Sequence, residues 1–237
     1  MGTGKKMNKF TEEEILSVAS TVCSISPGNI LLIGGGIILP QIIGYKRLRP
    51  RSDDLDFITN DEGISRALEQ YDLQLEPASR HPGMHGVSQY TYLDGILVAI
   101  FHNQIRGYDI PSIIYEGAMV RQTSKGTIQT ITPELNMALK IRRGASRIDR
   151  PHIYAKDGHD FASMVVSGYL SGEKFDIEKW LEYMDSGVCN SCNLTGSTEC
   201  MDQLAVGERN FESRYRELFR NTLNGCRDRV SMYCCLR

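Results

Sequence analysis

Apolar positions recur at helical spacing near the start of the chain, then fall into short runs and alternations, then return to helical spacing. Ile15, Val18, Ala19 and Val22 share one helical face and predict a helix over Thr11–Ser24. Thr11 with Glu14 three residues on reads as a capping box. Pro27-Gly28-Asn29 breaks the chain, and Ile30–Ile33 follows as a short apolar strand. Gly34, Gly35 and Gly36 make a turn. Ile37–Tyr45 reads as a short helix, with Pro40 tolerable only in its first turn. Asp53–Thr59 alternates, so Leu55 and Phe57 face away from Asp54 and Asp56. Asp61–Tyr71 reads as a surface helix, Leu73–Glu76 as a short strand, and Arg80–Gly86 as a loop. Val87–Leu93 and Gly95–His102 form a hairpin around Asp94-Gly95, a strong turn signal. Gln104–Pro111 reads as a connection. Ile113–Tyr115, Ala118–Thr123 and Thr127–Ile131 read as short strands.

The pattern changes at Thr132-Pro133-Glu134, where Thr132 is an N-cap and Pro133 takes the first helical position. Helices are expected over Glu134–Arg143, Lys156–Ser171, Asp176–Asp185 and Met201–Leu223. The sequence therefore predicts an α/β (α+β) protein in two parts: a core with a mixed sheet over residues 1–131, and a helical C-terminal domain over residues 132–237.

Composition narrows this little. Across 237 residues, 41% are hydrophobic and 24% charged, which is ordinary for a globular chain with a sizeable core. The net charge of -2 excludes a global nucleic-acid signature, so any such surface must be a local basic patch. No apolar run reaches the roughly 18 residues a membrane span needs. The first residues lack the apolar region of a secretory signal, and Lys6 departs from the myristoylation pattern. A cytoplasmic protein without a membrane partner is expected. Of seven cysteines, most lie late in the chain. Cys189 and Cys192, followed by Cys200, lack a second paired motif, so free thiols are expected rather than disulfides or zinc.

Candidate chemistry gathers in Leu31–Phe57. A glycine turn lets the backbone approach a phosphate closely. Asp54 and Asp56 share one strand face, and two carboxylates there suit Mg²⁺-assisted phosphoryl transfer. Between them runs a basic segment, Lys46, Arg47, Arg49 and Arg51, with a second basic cluster at Arg142, Arg143, Arg147 and Arg150. Each feature also has a plainer reading, as a strand-to-helix connection, a solvated charge run or an acidic strand end. The glycines fit neither the Walker A loop, since no Gly-Lys-Ser/Thr follows, nor G-x-G-x-x-G, whose last position here is Leu39.

Four landmarks then appear in order: Gly35-Gly36-Ile37-Ile38-Leu39, Arg51-Ser52-Asp53-Asp54-Leu55-Asp56-Phe57, Lys140, and Lys156-Asp157-Gly158-His159-Asp160. In this order the chain resembles the nucleotidyltransferase superfamily with a DNA polymerase β-like fold. More narrowly it resembles the AbiEii-type group, the toxin halves of type IV toxin–antitoxin pairs. The resemblance implies that Gly34, Gly35 and Gly36, with Arg51 and Ser52, hold an NTP, and that Asp54 and Asp56 hold Mg²⁺. It implies that Lys140 contacts nucleotide phosphate and that Asp157 acts as a catalytic or lysine-orienting acid. Asp157 and Asp160 stand three apart and can share a helix face.

There is one departure. Such enzymes usually carry a third carboxylate on a later strand, and the corresponding position in Gly95–His102 is Ala99. Asp94 and His102 are the nearby groups able to serve as a base if geometry allows. The resemblance implies transfer of an NMP from an NTP to an acceptor hydroxyl, an RNA such as a tRNA 3′ end, by a toxin or defence protein with an antitoxin partner. The alternatives are a protein acceptor, or a degenerate member that binds a nucleotide or a partner without catalysis.

Overall fold

A computed structural model describes residues 10–44, 54–61, 63–70, 76–77, 89–102, 104–105, 108–109, 113–145, 151–185 and 213–235. The chain divides into two compact units. One comprises Met1–Ile37, Pro50–Tyr108 and Ala118–Thr130; the other comprises Ile38–Arg49, Asp109–Gly117 and Ile131–Arg237.

The first unit is built on a seven-stranded mixed sheet. Its strands are β1 (Ile30–Ile33), β2 (Asp54–Thr59), β3 (Glu76–Pro77), β4 (Gln89–Leu93), β5 (Ile96–His102), β8 (Met119–Thr123) and β9 (Gly126–Thr130), in the order β3-β4-β5-β2-β1-β9-β8. β1 runs antiparallel to β2 and parallel to β9, while β2 runs parallel to β5. The central strands carry the core. Ile30, Leu31 and Leu32 on β1, Leu55 and Phe57 on β2, and Val98 and Ile100 on β5 are all buried. The period-2 alternation of β2 puts Leu55 and Phe57 inward and leaves Asp54 and Asp56 half-buried on the other face.

Helix α1 (Glu12–Ile25) begins with the expected capping box: the Glu14 N–H donates to Thr11 Oγ1 at 3.2 Å, and the Thr11 N–H donates to Glu14 Oε2 at 2.6 Å. Its Ser20 side chain lies close against Gly126, the first residue of β9, where φ is 122° and a Cβ would meet Ser20 Oγ at 2.5 Å. Burial pushes the Cys23 thiol up to about 11.

Several expectations change in detail. The helix expected over Ile37–Tyr45 is two pieces, a 3₁₀ turn at Gly36–Ile38 and α2 (Pro40–Ile43). Proline disfavours helical backbone at the residue before it, so Leu39 is extended and Pro40 opens a new helix at its first position. The surface helix is shorter, α3 (Ile64–Glu69). Asp61 lies before it and caps the approach, accepting from the Gly63 N–H at 2.7 Å and from Ser26 Oγ at 2.6 Å. The connection at Gln104–Pro111 contains two short strands, β6 (Gln104–Ile105) and β7 (Tyr108–Asp109), which pair with each other. They are too short for periodicity to reveal. The strand expected at Ile113–Tyr115 is instead α4 (Ile113–Glu116). Two adjacent isoleucines carry strand propensity, yet the backbone makes a single helical turn with Ile114 buried.

The second unit is helical, with α5 (Pro133–Ala145), α6 (Pro151–Ser171), α7 (Ile177–Asp185) and α8 (Ser213–Cys235) among its described elements. Thr132 caps α5 as expected, accepting from the Leu135 N–H at 3.3 Å. Asp176 caps α7 through the Lys179 N–H at 3.1 Å. The last helix was expected over Met201–Leu223, but residues 201–212 lie outside the described set and the helix runs on past Gly225. A Cβ at Gly225 would meet Ile177 Cδ1 at 2.7 Å, so this glycine lets α8 approach α7 rather than ending a helix. The core is aromatic: Phe161 meets Phe175 and Phe219 edge-on with centroids 5.2 and 5.5 Å apart, and Trp180 is fully buried. Cys226 is buried, and its thiol is pushed up to about 12. No helix among the described residues is long and apolar enough to cross a membrane.

Candidate active site

The register of the central strands builds a row of side chains from the sequence upward. On β2, Asp54 and Asp56 lie two residues apart on one face, about 6.7 Å along the strand. Antiparallel pairing places Ile33 of β1 opposite Asp56, so the chain leaves β1 into the glycine turn directly beside that carboxylate. Gly34 adopts a left-handed φ of 67°, and a Cβ there would lie 3.1 Å from Asp56 Oδ2. Glycine is required twice over, for the backbone angle and for the room the carboxylate occupies. Gly35 is half-exposed beside it. Gly36 has a different duty: it is buried, and a Cβ would meet Leu32 Cδ1 at 2.8 Å and Leu55 Cδ2 at 3.1 Å.

Pairing with β5 is parallel and sets Leu97 beside Asp54 and Ala99 beside Asp56. Ala99 therefore stands on the same face and directly across from Asp56, where a third carboxylate would complete a triad. The hairpin continues both rows, with Tyr92 of β4 opposite Leu97 and Tyr90 opposite Ala99. β3 then sets Glu76 opposite Tyr90, whose hydroxyl donates to Glu76 Oε2 at 3.0 Å.

The two base candidates separate cleanly. His102 pairs with Thr59, three residues along from the Asp56–Ala99 pair and on the opposite face. At about 3.3 Å per residue it is some 10 Å from the Asp56 row. Its imidazole contacts Gln89 Oε1 at 2.8 Å. Burial lowers its pKa, partly opposed by the charge of Asp61. His102 is thus not the base for this edge. Asp94 sits at the correct end, exposed in the turn before β5 with a φ of 51°.

The remaining predicted residues lie elsewhere or outside the described set. Arg51 and Ser52 are outside it, as are the basic residues at 46–49, 147 and 150, the histidines at 81 and 85, and the cysteines at 189, 192 and 200. Lys140 is on α5 in the second unit. Its Nζ donates to Asp160 Oδ2 on α6 at 2.8 Å, with Lys140 5% and Asp160 0% exposed. Asp160, one helical turn beyond Asp157, pairs with this lysine. The backbone of Asp157 is part of α6, and its side chain lies outside the described set.

No family model matches the sequence, and no curated protein matches it. Solved structures do show a likeness. An antigenic nucleotidyltransferase-like protein from Paracoccidioides brasiliensis aligns at 15% identity over 65% of this chain and 76% of its own, with a TM-score of 0.45. The antibiotic-resistance factor ANT(2'')-Ia aligns at 11% identity over 73% of this chain and 90% of its own, with a TM-score of 0.41. Likeness at this level gives no residue a role.

Mg²⁺ can be tested against the donor set. Among the described residues, no three His, Cys, Asp or Glu side chains are grouped to hold a metal by themselves. Two half-buried carboxylates on one face do fit Mg²⁺, which binds through one or two carboxylates and completes its shell with water and substrate phosphates. Such a site needs the substrate to be complete, and the glycine turn beside Asp56 allows phosphates to come close.

Proposed function

We propose that the chain is a Mg²⁺-dependent nucleotidyltransferase, with its site at the Asp54–Asp56 edge of the first unit. The observation that carries this reading is the Asp56 carboxylate set against left-handed Gly34, with Asp54 on the same face. Bound Mg²⁺ would neutralise the triphosphate and polarise the α-phosphorus for in-line displacement. Asp54 and Asp56 hold the ion, and Gly34 and Gly35 let the backbone approach the phosphates. In the reaction an acceptor oxygen bonds to the α-phosphorus, the bond to the β-phosphate oxygen breaks, and pyrophosphate leaves. Ala99 offers no carboxylate to take the hydroxyl proton, and Asp94 is exposed in a turn three residues before Leu97, so the proton passes to solvent or to a substrate phosphate. Lys140 is held by Asp160 within the second unit, and the phosphate contact that the resemblance implies for it is no part of this site. Following the same resemblance, the acceptor is an RNA such as a tRNA 3′ end, and the setting is that of an AbiEii-type toxin with an antitoxin partner in the cytoplasm.

The test is incubation with each labelled NTP, Mg²⁺ and total RNA. Label should enter RNA with the wild-type chain and be lost in Asp54→Ala and Asp56→Ala. Full activity in the double variant contradicts the proposal. Ala99 favours a second reading, a member that binds NTP without transferring it. NTP binding by calorimetry, with RNA and protein both unlabelled, is the result that supports that reading.

A further inference from the structure

The row that begins at Asp54 does not end at β5. It runs through Leu97, which is half-exposed, to Tyr92 on β4, whose side chain is 53% exposed. The parallel row runs from Asp56 through the small, buried Ala99 to Tyr90. Tyr90 is buried and tied by its hydroxyl to Glu76. Its ring meets Tyr92 edge-on, with centroids 6.2 Å apart and planes at 88°. Tyr92 is thus an exposed aromatic ring held by an anchored one, on the same sheet face as the two aspartates. Neighbouring strands are about 4.8 Å apart, so Tyr92 lies roughly 10 Å from Asp54 across an apolar floor.

In-line displacement fixes which substrate belongs on that floor. The attacking oxygen and the leaving pyrophosphate must stand on opposite sides of the α-phosphorus. Gly34 and Gly35 follow Ile33, on the β1 side of Asp56, and the function proposed above puts the phosphates there. The attacking group then comes from the β5–β4 side, over Leu97. A planar base attached to a sugar whose hydroxyl reaches the metal would extend toward Tyr92. Every nucleobase has a face that stacks on an aromatic ring, whatever its sequence.

Resting on the function proposed above, we propose that Tyr92 is the stacking platform for the nucleobase of the acceptor's reacting nucleotide. Tyr90 and Glu76 act as positioning residues that hold its ring. Half-exposed Leu97 then has a role of its own, as the floor beneath a stacked 3′-terminal nucleotide of a single-stranded RNA, with small, buried Ala99 beside it.

The test is fluorescence anisotropy with 5′-fluorescein single-stranded (rA)12 and the same oligomer with an abasic 3′-terminal nucleotide, in Mg²⁺ and a non-hydrolysable NTP. Loss of the terminal base should weaken wild-type binding about tenfold, within the range for one base–aromatic stack. Tyr92→Phe should keep that difference, and Tyr92→Ala should abolish it by binding both probes at the abasic level. Tyr92 is exposed, and thermal melting of each variant checks its fold. Equal binding of both probes by the wild type, no binding of (rA)12, or a tenfold difference retained in Tyr92→Ala overturns the proposal. Calorimetry of Mg²⁺·NTP with the wild type separates the two levels. If NTP binds while the probes show no base dependence, the platform fails and the nucleotidyltransferase reading stands. If NTP does not bind, that reading itself fails.

Discussion

Asp54 with Asp56, and Lys140 with Asp160, are two uses of charge in one chain. The first pair is alike in sign, half-buried, and set side by side on a strand next to a glycine that only glycine can replace. Like charges on one face repel, and a bound cation relieves that repulsion. The second pair is opposite in sign and almost wholly buried, with donor and acceptor 2.8 Å apart. Its charges are compensated within the fold, against a desolvation cost that such pairs only just offset. One arrangement presents two carboxylates on a half-buried face; the other pairs opposite charges inside its own unit.

This contrast can be broken in order of size. Asp54→Ala or Asp56→Ala should cut transfer by roughly a thousandfold or more, as removal of charge-stabilising groups does in water-excluded sites, and should leave the melting temperature unchanged or slightly raised. A large loss of stability would mean that the carboxylates serve the fold. Asp160→Ala should do the reverse and destabilise first, by about 3–5 kcal/mol, because it strands a buried ammonium. Each kcal/mol moves the melting temperature about 2–4 °C in a chain of this size, so calorimetric melting should show a drop on the order of 10 °C. Replacing both partners, Lys140→Met with Asp160→Leu, should recover most of that loss. Failure to recover it would show that the pair is more than compensated charge.

Gly34→Ala combines a left-handed backbone with a contact on Asp56. It should cost about 1–2 kcal/mol from the backbone alone, and should weaken Mg²⁺·NTP binding beyond what Gly35→Ala does. Equal effects at the two positions would remove Gly34 from the site. The smallest effect concerns His102. Its folded pKa is lowered from 6.5 by burial, so as pH falls the unfolded chain takes the proton first. The stability is fully present above the unfolded value and is lost as pH falls through the folded one. Melting between pH 7.5 and 5 should slope accordingly in the wild type and less in His102→Gln.

What the sequence reveals of this depends on the range of the interaction. The face shared by Asp54 and Asp56 follows from strand period alone, and the capping box at Thr11 from four residues. The two-residue Asp94-Gly95 turn also fixes hairpin register, pairing Leu93 with Ile96 and so Tyr92 with Leu97. The Tyr92 row was therefore legible, provided the register was carried outward from the turn. The pairing of Lys140 with Asp160 was not, because it depends on how α5 and α6 cross, which helical spacing alone does not give. The role of Gly225 is hidden for a similar reason. A glycine that admits a neighbouring helix and one that ends a helix look alike until the neighbour, here Ile177, is in place. The turn of helix at Ile113–Glu116 forms against local strand propensity.

The most direct test of the central claim is Mn²⁺ binding followed by electron paramagnetic resonance, with and without a non-hydrolysable NTP, in the wild type and in Asp54→Asn, Asp56→Asn. The wild type should bind Mn²⁺ weakly alone and much more tightly with the nucleotide, because two carboxylates need the phosphates to complete the shell. The double variant should lose the nucleotide-dependent binding while its melting temperature holds. Nucleotide-dependent Mn²⁺ binding that survives in the double variant would contradict the assignment of Asp54 and Asp56.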